Sequence, residues 1–451
     1  MVRRKLRPIG ANLALAIALA GCATYTPQPP DLAALPAKVA AARLPEREVW
    51  TTADLLAASL ASNPQVQDAA AHYRSLVAAA RTARTPPPPT LTLTAEYSKD
   101  AGGTSPWLLA GLTDIPLDLG GRRSSRVATA DLGALQALYD YGEAVWTVRM
   151  AIARARIERT EADQVIAAAE RLVALRRDRV ARLSHRVEAG EDARIIALLA
   201  QTDLVAAERR LADVHAQRAQ AEAALAKALG VEPAVAQALK LAPSDAPSIP
   251  STLSAQRREA ALNRRDVLRV VTDYDIAEQA LRLEVAKQYP AVSIGPGYTW
   301  ERGVTKLPFN LNLALPPRDL NRSAIAEAEA KRAEAGRKLE TTQANVLGAV
   351  DLAGAALAAA DANRARALAQ DIPVARRTAA SAQASLAAGE TDRTDQLAAD
   401  AALADAELTA LDLKRVAELA GADLEDALHQ PFDPAETTVL ADAVDRLRSG
   451  R

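Results

Sequence analysis

The sequence predicts a mainly α-helical protein in which long antiparallel helical hairpins are combined with short membrane β-strands. Three observations support this prediction: an internal duplication, a proline-free segment long enough for a helix of about 100 Å, and paired segments with alternating apolar residues. The composition agrees, because 49% of the residues are hydrophobic but only 3% are aromatic, as in closely packed helices. The 55 basic and 56 acidic residues nearly balance, so nothing favours a nucleic-acid partner.

The duplication fixes the domain organisation. A shift of 201 positions moves Pro89 onto Pro290 and Tyr97 onto Tyr298, whereas a shift of 199 moves Gly190 onto Gly389. The change of two residues indicates one duplicated unit with a small insertion or deletion in a helix. The predicted repeats are residues 51–240 and 253–430, joined by a linker rich in Pro and Ser at 241–252 and followed by a tail at 431–451. Each repeat runs helix, strand pair, long helix, glycine turn, returning helix.

The N-terminus predicts export and lipidation. A basic region is followed by an apolar run from Ile9 to Ala20 that is too short to span a bilayer. The sequence Leu19-Ala20-Gly21-Cys22 resembles the lipobox of bacterial lipoproteins. We therefore expect a signal peptide at 1–21, an acylated Cys22 and a lipidated extension at 22–50, sorted by this resemblance to the outer membrane. The alternative is an ordinary signal peptide; Cys22 is the only cysteine, so no intrachain disulfide is possible.

The longest helices are predicted at 122–189 and 323–388. The first contains no proline and has apolar residues at three- and four-residue spacing, and the second has one expected irregularity at Pro373. Two shorter helices are expected at 191–229 and 255–288, and their combined length matches that of one long helix laid beside them. No run of 18 apolar residues lies beyond the signal region, so no transmembrane helix is predicted.

The strand pairs are predicted at 90–117 and 291–316. Leu91, Leu93 and Tyr97 alternate with threonines, whereas residues 107–115 are apolar at both parities. The duplication predicts their phase, because it maps Leu311 and Leu313 onto Ala110 and Leu112. Aromatic residues near the strand ends suit a membrane β-barrel, although soluble hairpins on a domain face are the alternative. Four strands cannot close a barrel, so two, three or more copies must share one.

The order of these elements resembles the TolC-like outer membrane factors over residues 50–430. The resemblance rests on Leu60-Ala61-Ser62-Asn63-Pro64 and its counterpart Leu262-Asn263-Arg264-Arg265-Asp266, on Tyr289-Pro290, on Ile115-Pro116-Leu117-Asp118-Leu119-Gly120-Gly121, and on the glycine turns at Gly190 and Gly389. Arg265 stands where the family usually has proline. Residues 315–329 look most like the heavy-metal-efflux branch.

The resemblance implies a homotrimer with a 12-stranded barrel in the outer membrane of a Gram-negative bacterium and a helical tunnel through the periplasm. Its partners would be outer-membrane lipids, a periplasmic adaptor and an inner-membrane pump such as the resistance-nodulation-division type. The expected function is a passive exit duct for small toxic compounds or metal cations. The alternatives are a type I protein secretion duct, and a periplasmic adaptor or structural coiled-coil lipoprotein. An adaptor has one helical hairpin, whereas this sequence predicts two.

No enzymatic activity, cofactor or metal site is predicted. The sequence contains no nucleophile with its base, no phosphate-binding loop and no metal-ligand cluster. The four histidines have no ligand spacing, and each is expected on a helix surface: His72, His185, His215 and His429.

Two sets of residues are candidates for a mechanism. The glycine turns would dock the adaptor, as in the family, with polar contacts from neighbouring charged residues: Gly190, Glu191, Arg194, Gly389, Glu390 and Arg393. The alternative is a plain turn. Asp392 and Asp395 follow the second turn, and Asp395 occupies the place where the family often has a lumen-facing aspartate; the first repeat has Ile196 there. A threefold acidic ring would favour cations, whereas the alternative is a solvated carboxylate.

Overall fold

A computed structural model describes residues 25–99, 105–243 and 252–450. The predicted signal peptide and Cys22 lie outside the described residues, as do residues 244–251 of the predicted linker. The chain divides into two compact units, Met1–Ala42 and Arg43–Arg451. The described part of the first unit contains one helix, α1 (Ala34–Ala41).

The second unit contains the helices and strands of both repeats. In the first repeat these are α2 (Thr52–Ser62), α3 (Pro64–Ala83), β1 (Thr90–Tyr97), β2 (Trp107–Leu117), α4 (Arg122–Glu188), α5 (Arg194–Leu229) and α6 (Pro233–Gln237). In the second they are α7 (Leu253–Asn263), α8 (Arg265–Ala286), β3 (Ala291–Glu301), β4 (Val304–Lys306), β5 (Phe309–Ala314), α9 (Arg322–Arg366), α10 (Ile372–Ala387), α11 (Arg393–Leu428) and α12 (Pro434–Ser449). The predicted fold class, strand pairs and long helices are confirmed.

The helices form a layer of four columns. The 67-residue helix α4 packs against α3 and α5 on one side and against α8 and α11 on the other. Helices α9 and α10 make the fourth column beside α8 and α11. The predicted irregularity near Pro373 is confirmed, because a π-helical segment, Ala367–Asp371, separates α9 from α10. Proline has no N–H for the preceding turn, and such a missing bond is a common cause of a helix distortion.

Each short column is built from two helices that meet within one repeat, rather than from one helix of each repeat. Asn63 at the start of α3 donates its side-chain amide to the Ala228 carbonyl at the end of α5, at 2.7 Å. The Ser62 hydroxyl donates to the Leu229 carbonyl at 2.5 Å. The combined length of 191–229 and 255–288 matches one long helix, but the structure does not stack these two segments, because each meets a helix of its own repeat.

A second difference is that residues 255–288 form two helices. The chain breaks at Arg264, which lies between α7 and α8 and donates to the Ala427 carbonyl at the end of α11. This is the counterpart of the Asn63 junction in the first repeat. The predicted tail at 431–451 contains α12, which packs against α2 and α4.

One described helix could cross a membrane by length and composition alone. It is the segment Arg322–Ala387, and 28% of its most apolar window is buried. This segment packs against α11, and Val350, Leu357 and Ala360 are buried in a cluster shared with Leu424. We therefore treat it as a member of the helical layer.

The strands form one antiparallel sheet in the order β1-β2-β3, with β4 and β5 pairing β3 as two parts of one returning strand. Leu307 and Pro308 separate β4 from β5. Strands β1 and β5 are the two edges of this sheet in the described protomer. The sheet is therefore open on both sides.

The predicted phase of β2 was wrong. The pairings Gly111↔Tyr298 and Ile294↔Leu311 place the odd-numbered residues of β2 on the face that carries Leu311, whereas Ala110 and Leu112 lie on the opposite face. In the first repeat Thr90 pairs with Asp114, so a uniform shift of 201 would pair residue 291 with residue 315. The structure instead pairs Ala291 with Ala314, one residue earlier. This one-residue change of register moves every side chain to the other face.

Candidate functional site

The sheet has one apolar and one polar face. Each directly paired set of residues shares a face, which gives a continuous apolar surface from β1 to β5: Leu91, Leu93, Tyr97, Trp107, Leu109, Ile115, Val292, Ile294, Tyr298, Trp300, Phe309, Leu311 and Leu313. Several of these large side chains are more than half exposed, including Leu93 at 75% and Phe309 at 67%. Soluble proteins rarely expose such a contiguous apolar surface.

Aromatic side chains cluster at the hairpin end of this apolar face. The rings of Tyr97 and Trp107 meet edge to face, with centroids 5.0 Å apart. Trp300 pairs with Leu109 next to them, and Tyr298 lies one pleat further along. A band of Tyr and Trp at the end of an apolar face is typical of membrane β-strands at the water interface.

The other face of the sheet is mainly polar. Its polar side chains are those of Thr90, Thr92, Thr94, Glu96, Asp114, Ser293, Thr299, Glu301, Asn310 and Asn312, and the apolar Leu108, Ala110 and Leu112 of β2 lie on the same face. Near its centre, the Asp114 carboxylate accepts hydrogen bonds from the Ser293 hydroxyl at 2.5 Å and from the Asn312 amide at 2.8 Å. A sheet with one apolar and one hydrogen-bonded polar face can separate lipid from a water-filled lumen.

The helical hairpins end in two glycine turns of the same geometry. Gly190 and Gly389 have φ values of +75° and +74°, and the Glu191 and Glu390 N–H groups donate to carbonyls five residues earlier, Arg186 and Ser385, at 2.9 Å. These bonds define a Schellman motif, which requires a left-handed residue and so favours glycine. The predicted left-handed position of both glycines is confirmed.

Arg186 joins the two turns, and sequence analysis did not single it out. Its guanidinium forms an ion pair with Asp192 of the first turn at 2.8 Å and another with Asp392 of the second turn. Asp392 also caps α11, because its carboxylate accepts from the Thr394 and Asp395 N–H groups. Despite partial burial, these hydrogen bonds and Arg186 lower the pKa of Asp392 to about 2. Asp392 is thus part of the contact between the turns.

The remaining predicted tip residues lie at the surface. Glu191 is 63% exposed and lies 3.7 Å from Arg186, and Glu390 accepts a hydrogen bond from Ser385 at 3.2 Å. Arg194 and Asp395 are exposed, and Arg393 donates to Gln396 one turn further along α11. These residues are brought together at one end of the helical layer, where Ile195, Leu198 and Leu199 of α5 are also more than half exposed.

A buried network near the other end of α11 was also missed. Arg149 is 2% exposed and forms ion pairs with Glu425 and Glu436, each at 2.6 Å, which tie α4 to α11 and α12. The Trp146 indole donates to Asp426 at 2.9 Å and stacks on the His429 ring at 5.0 Å. The alternating charges of α4 gave no signal, because exposed and buried arginines look alike in a sequence.

His429 corrects one expectation about the histidines. Its side chain is 6% exposed, and burial and the nearby Arg264 lower its pKa to about 4, so the ring is neutral at neutral pH. The other three histidines are exposed, as predicted. Within the part of the chain that the structure describes, no group of three His, Cys, Asp or Glu side chains could hold a metal ion.

Part of the chain matches a known protein family. Residues 55–231 match the model of the family described as outer membrane efflux protein. The matched segment is thus similar to outer membrane efflux proteins. It begins in α2 and ends just after α5, so it covers the first strand pair and the first helical hairpin. The predicted resemblance to TolC-like outer membrane factors is confirmed.

Solved structures of outer membrane channels share the fold of most of the chain. The outer membrane protein VceC of Vibrio cholerae has 18% identity and a TM-score of 0.69, with 85% of this chain and 97% of that chain covered. The open state of the MtrE outer membrane channel of Neisseria gonorrhoeae has 19% identity and a TM-score of 0.65, with 84% of this chain and 89% of that chain covered. CusC has 17% identity and a TM-score of 0.70, with 86% of this chain and 96% of that chain covered. No curated protein sequence matches significantly.

Proposed function

We propose that this protein is an outer membrane efflux protein that forms the exit duct of a tripartite efflux system in the outer membrane of a Gram-negative cell. It carries small toxic compounds or metal cations outward and performs no catalysis. The observation that carries the proposal is the sheet with two open edges, an apolar face and a polar face. The acylation of Cys22 would add a lipid anchor to this insertion.

The open edges explain why the working unit is an oligomer. In lipid, an unpaired strand edge leaves N–H and C=O groups without partners, at a cost of several kcal/mol for each group. Pairing β1 of one protomer with β5 of the next removes both edges at once. Three protomers with four strands each give a 12-stranded barrel, which is the trimer that the family resemblance implies.

The helical layer has matching open edges. The outer columns are α3 with α5 on one side and α9 with α10 on the other. Both carry exposed large apolar side chains, such as Val205 at 50% on α5 and Leu352 at 73% on α9. Packing the α5 edge of one protomer on the α9–α10 edge of the next would bury these side chains and close the layer into a tunnel. One rotation axis thus serves both the barrel and the tunnel.

The hairpin tips are the proposed docking site for the periplasmic adaptor. Gly190 and Gly389 turn the chain, and Glu191, Arg194, Glu390 and Arg393 supply polar contacts around the apolar patch formed by Ile195, Leu198 and Leu199. Exposed apolar side chains rimmed by charges are typical of protein–protein contacts. The inner-membrane pump would then reach the duct through this adaptor.

Docking is tested with Gly389→Pro and with the charge reversal Arg393→Glu. Each variant is expected to insert into the outer membrane as the wild type does, measured by heat-modifiable migration, but to lose cross-linking to the adaptor. Lys331→Glu, on the exposed surface of α9 near the sheet, is the matched charge-reversal control and should cross-link normally. Intact cross-linking of Arg393→Glu would contradict the docking site.

Asp395 is the proposed gate residue. It is exposed at the start of α11, and threefold repetition would place three such carboxylates around the tunnel axis. Asp392 already caps α11 and pairs with Arg186, so its charge is balanced. Cation selectivity of reconstituted channels should fall in Asp395→Asn. Unchanged selectivity would remove Asp395 from the gate but would leave the duct intact.

The duct itself is tested by reconstituting the full-length protein in planar lipid bilayers. A water-filled conductance, together with heat-modifiable migration of the outer-membrane fraction, is expected. A structural lipoprotein or a periplasmic adaptor would give neither signal. Absence of conductance from correctly inserted trimers would contradict the proposed function.

A further inference from the structure

A carboxyl group without any hydrogen-bond partner lies deep in the contact between α4 and α11. The side chains of Glu418 on α11 and Glu161 on α4 are both 0% exposed. Neither oxygen of Glu418 has a hydrogen-bond partner among the described residues, and neither does Oε2 of Glu161. A buried carboxylate with no donor is costly, so this arrangement requires a compensating ligand.

The two carboxyl groups are not equivalent, because the nearby Lys414 ammonium group favours one of them. Lys414 Nζ lies 2.7 Å from Oε1 of Glu161 but 3.6 Å from Oε1 of Glu418. The Gln164 amide also donates to Oε1 of Glu161, at 3.1 Å. Glu161 therefore has the contacts of an ionised carboxylate, and Glu418 has the contacts of a neutral acid.

The charges around Glu418 do not supply a second cation. Glu418 lines a cavity of about 280 Å³ between α4, α11 and α12. The charged groups facing this region are Arg149, Arg156 and Glu161 on α4, Lys414 and Glu425 on α11, Glu436 on α12, and Asp433 at the rim of the cavity. If Glu418 were ionised, four carboxylates would face three cations, even without Asp433 at the rim. The carboxylates are Glu161, Glu418, Glu425 and Glu436, and the cations are Arg149, Arg156 and Lys414. The cluster would then be short of one positive charge.

The arginines in this cluster are already committed to other groups. Arg149 is shared by Glu425 and Glu436, each at 2.6 Å. Arg156 donates to the Ala242 carbonyl at 2.9 Å. A small metal cation beside these two guanidinium groups would be repelled, whereas a proton on Glu418 removes the charge imbalance without adding a cation.

We propose that Glu418 is a buried proton-binding site that fastens α4 to α11 and releases this contact at alkaline pH. The electrostatics agree with the geometry: burial and the neighbouring Glu161 raise the pKa of Glu418 to about 7, and Lys414 partly opposes this rise. Because the folded state holds the proton more tightly than the unfolded chain, the stabilisation is complete below 4.5, the ordinary pKa of Glu. It is lost as the pH rises through about 7.

The size of the effect follows from the pKa difference. Each pH unit between the two pKa values changes the unfolding equilibrium constant tenfold, so the whole window changes it about 300-fold. The contact lies within one protomer, so it does not depend on the proposed duct function. A failure of channel conductance would leave this site untouched.

The test is pH-difference infrared spectroscopy on the full-length protein in detergent, with thermal unfolding as a second measurement. The wild type should show the band of a protonated, buried carboxyl group that disappears near pH 7, and its melting temperature should fall between pH 5 and 8. Glu418→Gln should lack the band, and its melting temperature should vary less with pH. Glu334→Gln, at an exposed position on α9, should behave as the wild type.

A second variant covers the case in which Glu418→Gln fails to fold. Lys414→Met should move the loss of the band to higher pH, because Lys414 lowers the pKa of Glu418. An identical titration in the wild type and in Lys414→Met would overturn the proposal, as would a band that persists in Glu418→Gln. Stabilisation of the wild type, but not of Glu418→Gln, by sodium or calcium chloride would assign the site to a metal cation and also overturn it.

Discussion

Replacement of Asn63 by alanine should separate two helices that the fold stacks into one column. Asn63 is 4% exposed, and its side chain serves both helices. Its carbonyl oxygen caps α3 by accepting from the Gln65 N–H at 2.8 Å, and its amide donates to the Ala228 carbonyl of α5 at 2.7 Å. The alanine variant loses both interactions in a buried position.

The expected cost is the sum of two independent terms. Loss of an N-cap costs about 1 kcal/mol. The Ala228 carbonyl, in a residue that is 4% exposed, would lose its side-chain donor, which costs roughly 1–3 kcal/mol. The variant should therefore be destabilised by about 2–4 kcal/mol, because the two contacts do not share atoms.

Thermal unfolding of the detergent-solubilised protein, followed by circular dichroism, measures this loss. Asn63→Ser keeps a capping oxygen but loses the amide donor, so it should melt between the wild type and Asn63→Ala. Asn345→Ala, at an exposed position within α9, is the matched control and should be neutral. Equal melting temperatures for Asn63→Ala and Asn345→Ala would refute the reasoning about the junction.

Three further predictions concern single residues. Gly230→Ala should destabilise the protein more than Gly190→Ala in the same melting assay, because both glycines have positive φ but only at Gly230 would a Cβ meet a backbone oxygen, at 2.7 Å; equal losses would contradict this. Arg149→Ala should cost about 3–5 kcal/mol, because it leaves two buried carboxylates without a cation, and a loss below about 1 kcal/mol, typical of an exposed pair, would show that water reaches them. Asp392 has a pKa of about 2, against an ordinary value of 3.8, so its contribution to the stability of the fold is present above pH 3.8 and is lost as the pH falls through 2. Asp392→Asn should therefore lose less stability than the wild type on acidification from pH 5 to 2, and a melting temperature that falls equally in both proteins would contradict this.

The parts of the fold that follow from periodicity were predictable from the sequence. The absence of proline between 122 and 189 predicted α4, and the alternating residues of β1 and β5 predicted the strands. The phase of β2 was not predictable, because Trp107 to Ile115 is apolar at both parities and the repeat offset changes by one residue within the hairpin. Only the backbone pairing shows that change.

Some features of the candidate site were predictable from the sequence, and others were not. The left-handed glycines at both tips were predictable, since few other residues adopt that conformation without strain. The partners of Arg186 and the burial of His429 were not, because both depend on contacts between the two repeats or with distant helices. His429 occupies the left-handed position that Gly230 holds in the first repeat, so its backbone has the expected turn while its ring fills the space beside Trp146.

The central claim is that β1 of one protomer pairs with β5 of another in the membrane. Paired cysteine substitutions test it directly: Thr90, Thr92 or Thr94 on β1 combined with Asn310 or Asn312 on β5, all on the polar face. Within one protomer these edges are separated by two strands, roughly 14 Å at the usual strand spacing, which is too far for a disulfide. We expect oxidation of membranes to give covalent trimers for the pairs in register. Chains that remain monomeric in every combination, although inserted in the membrane, would contradict the account.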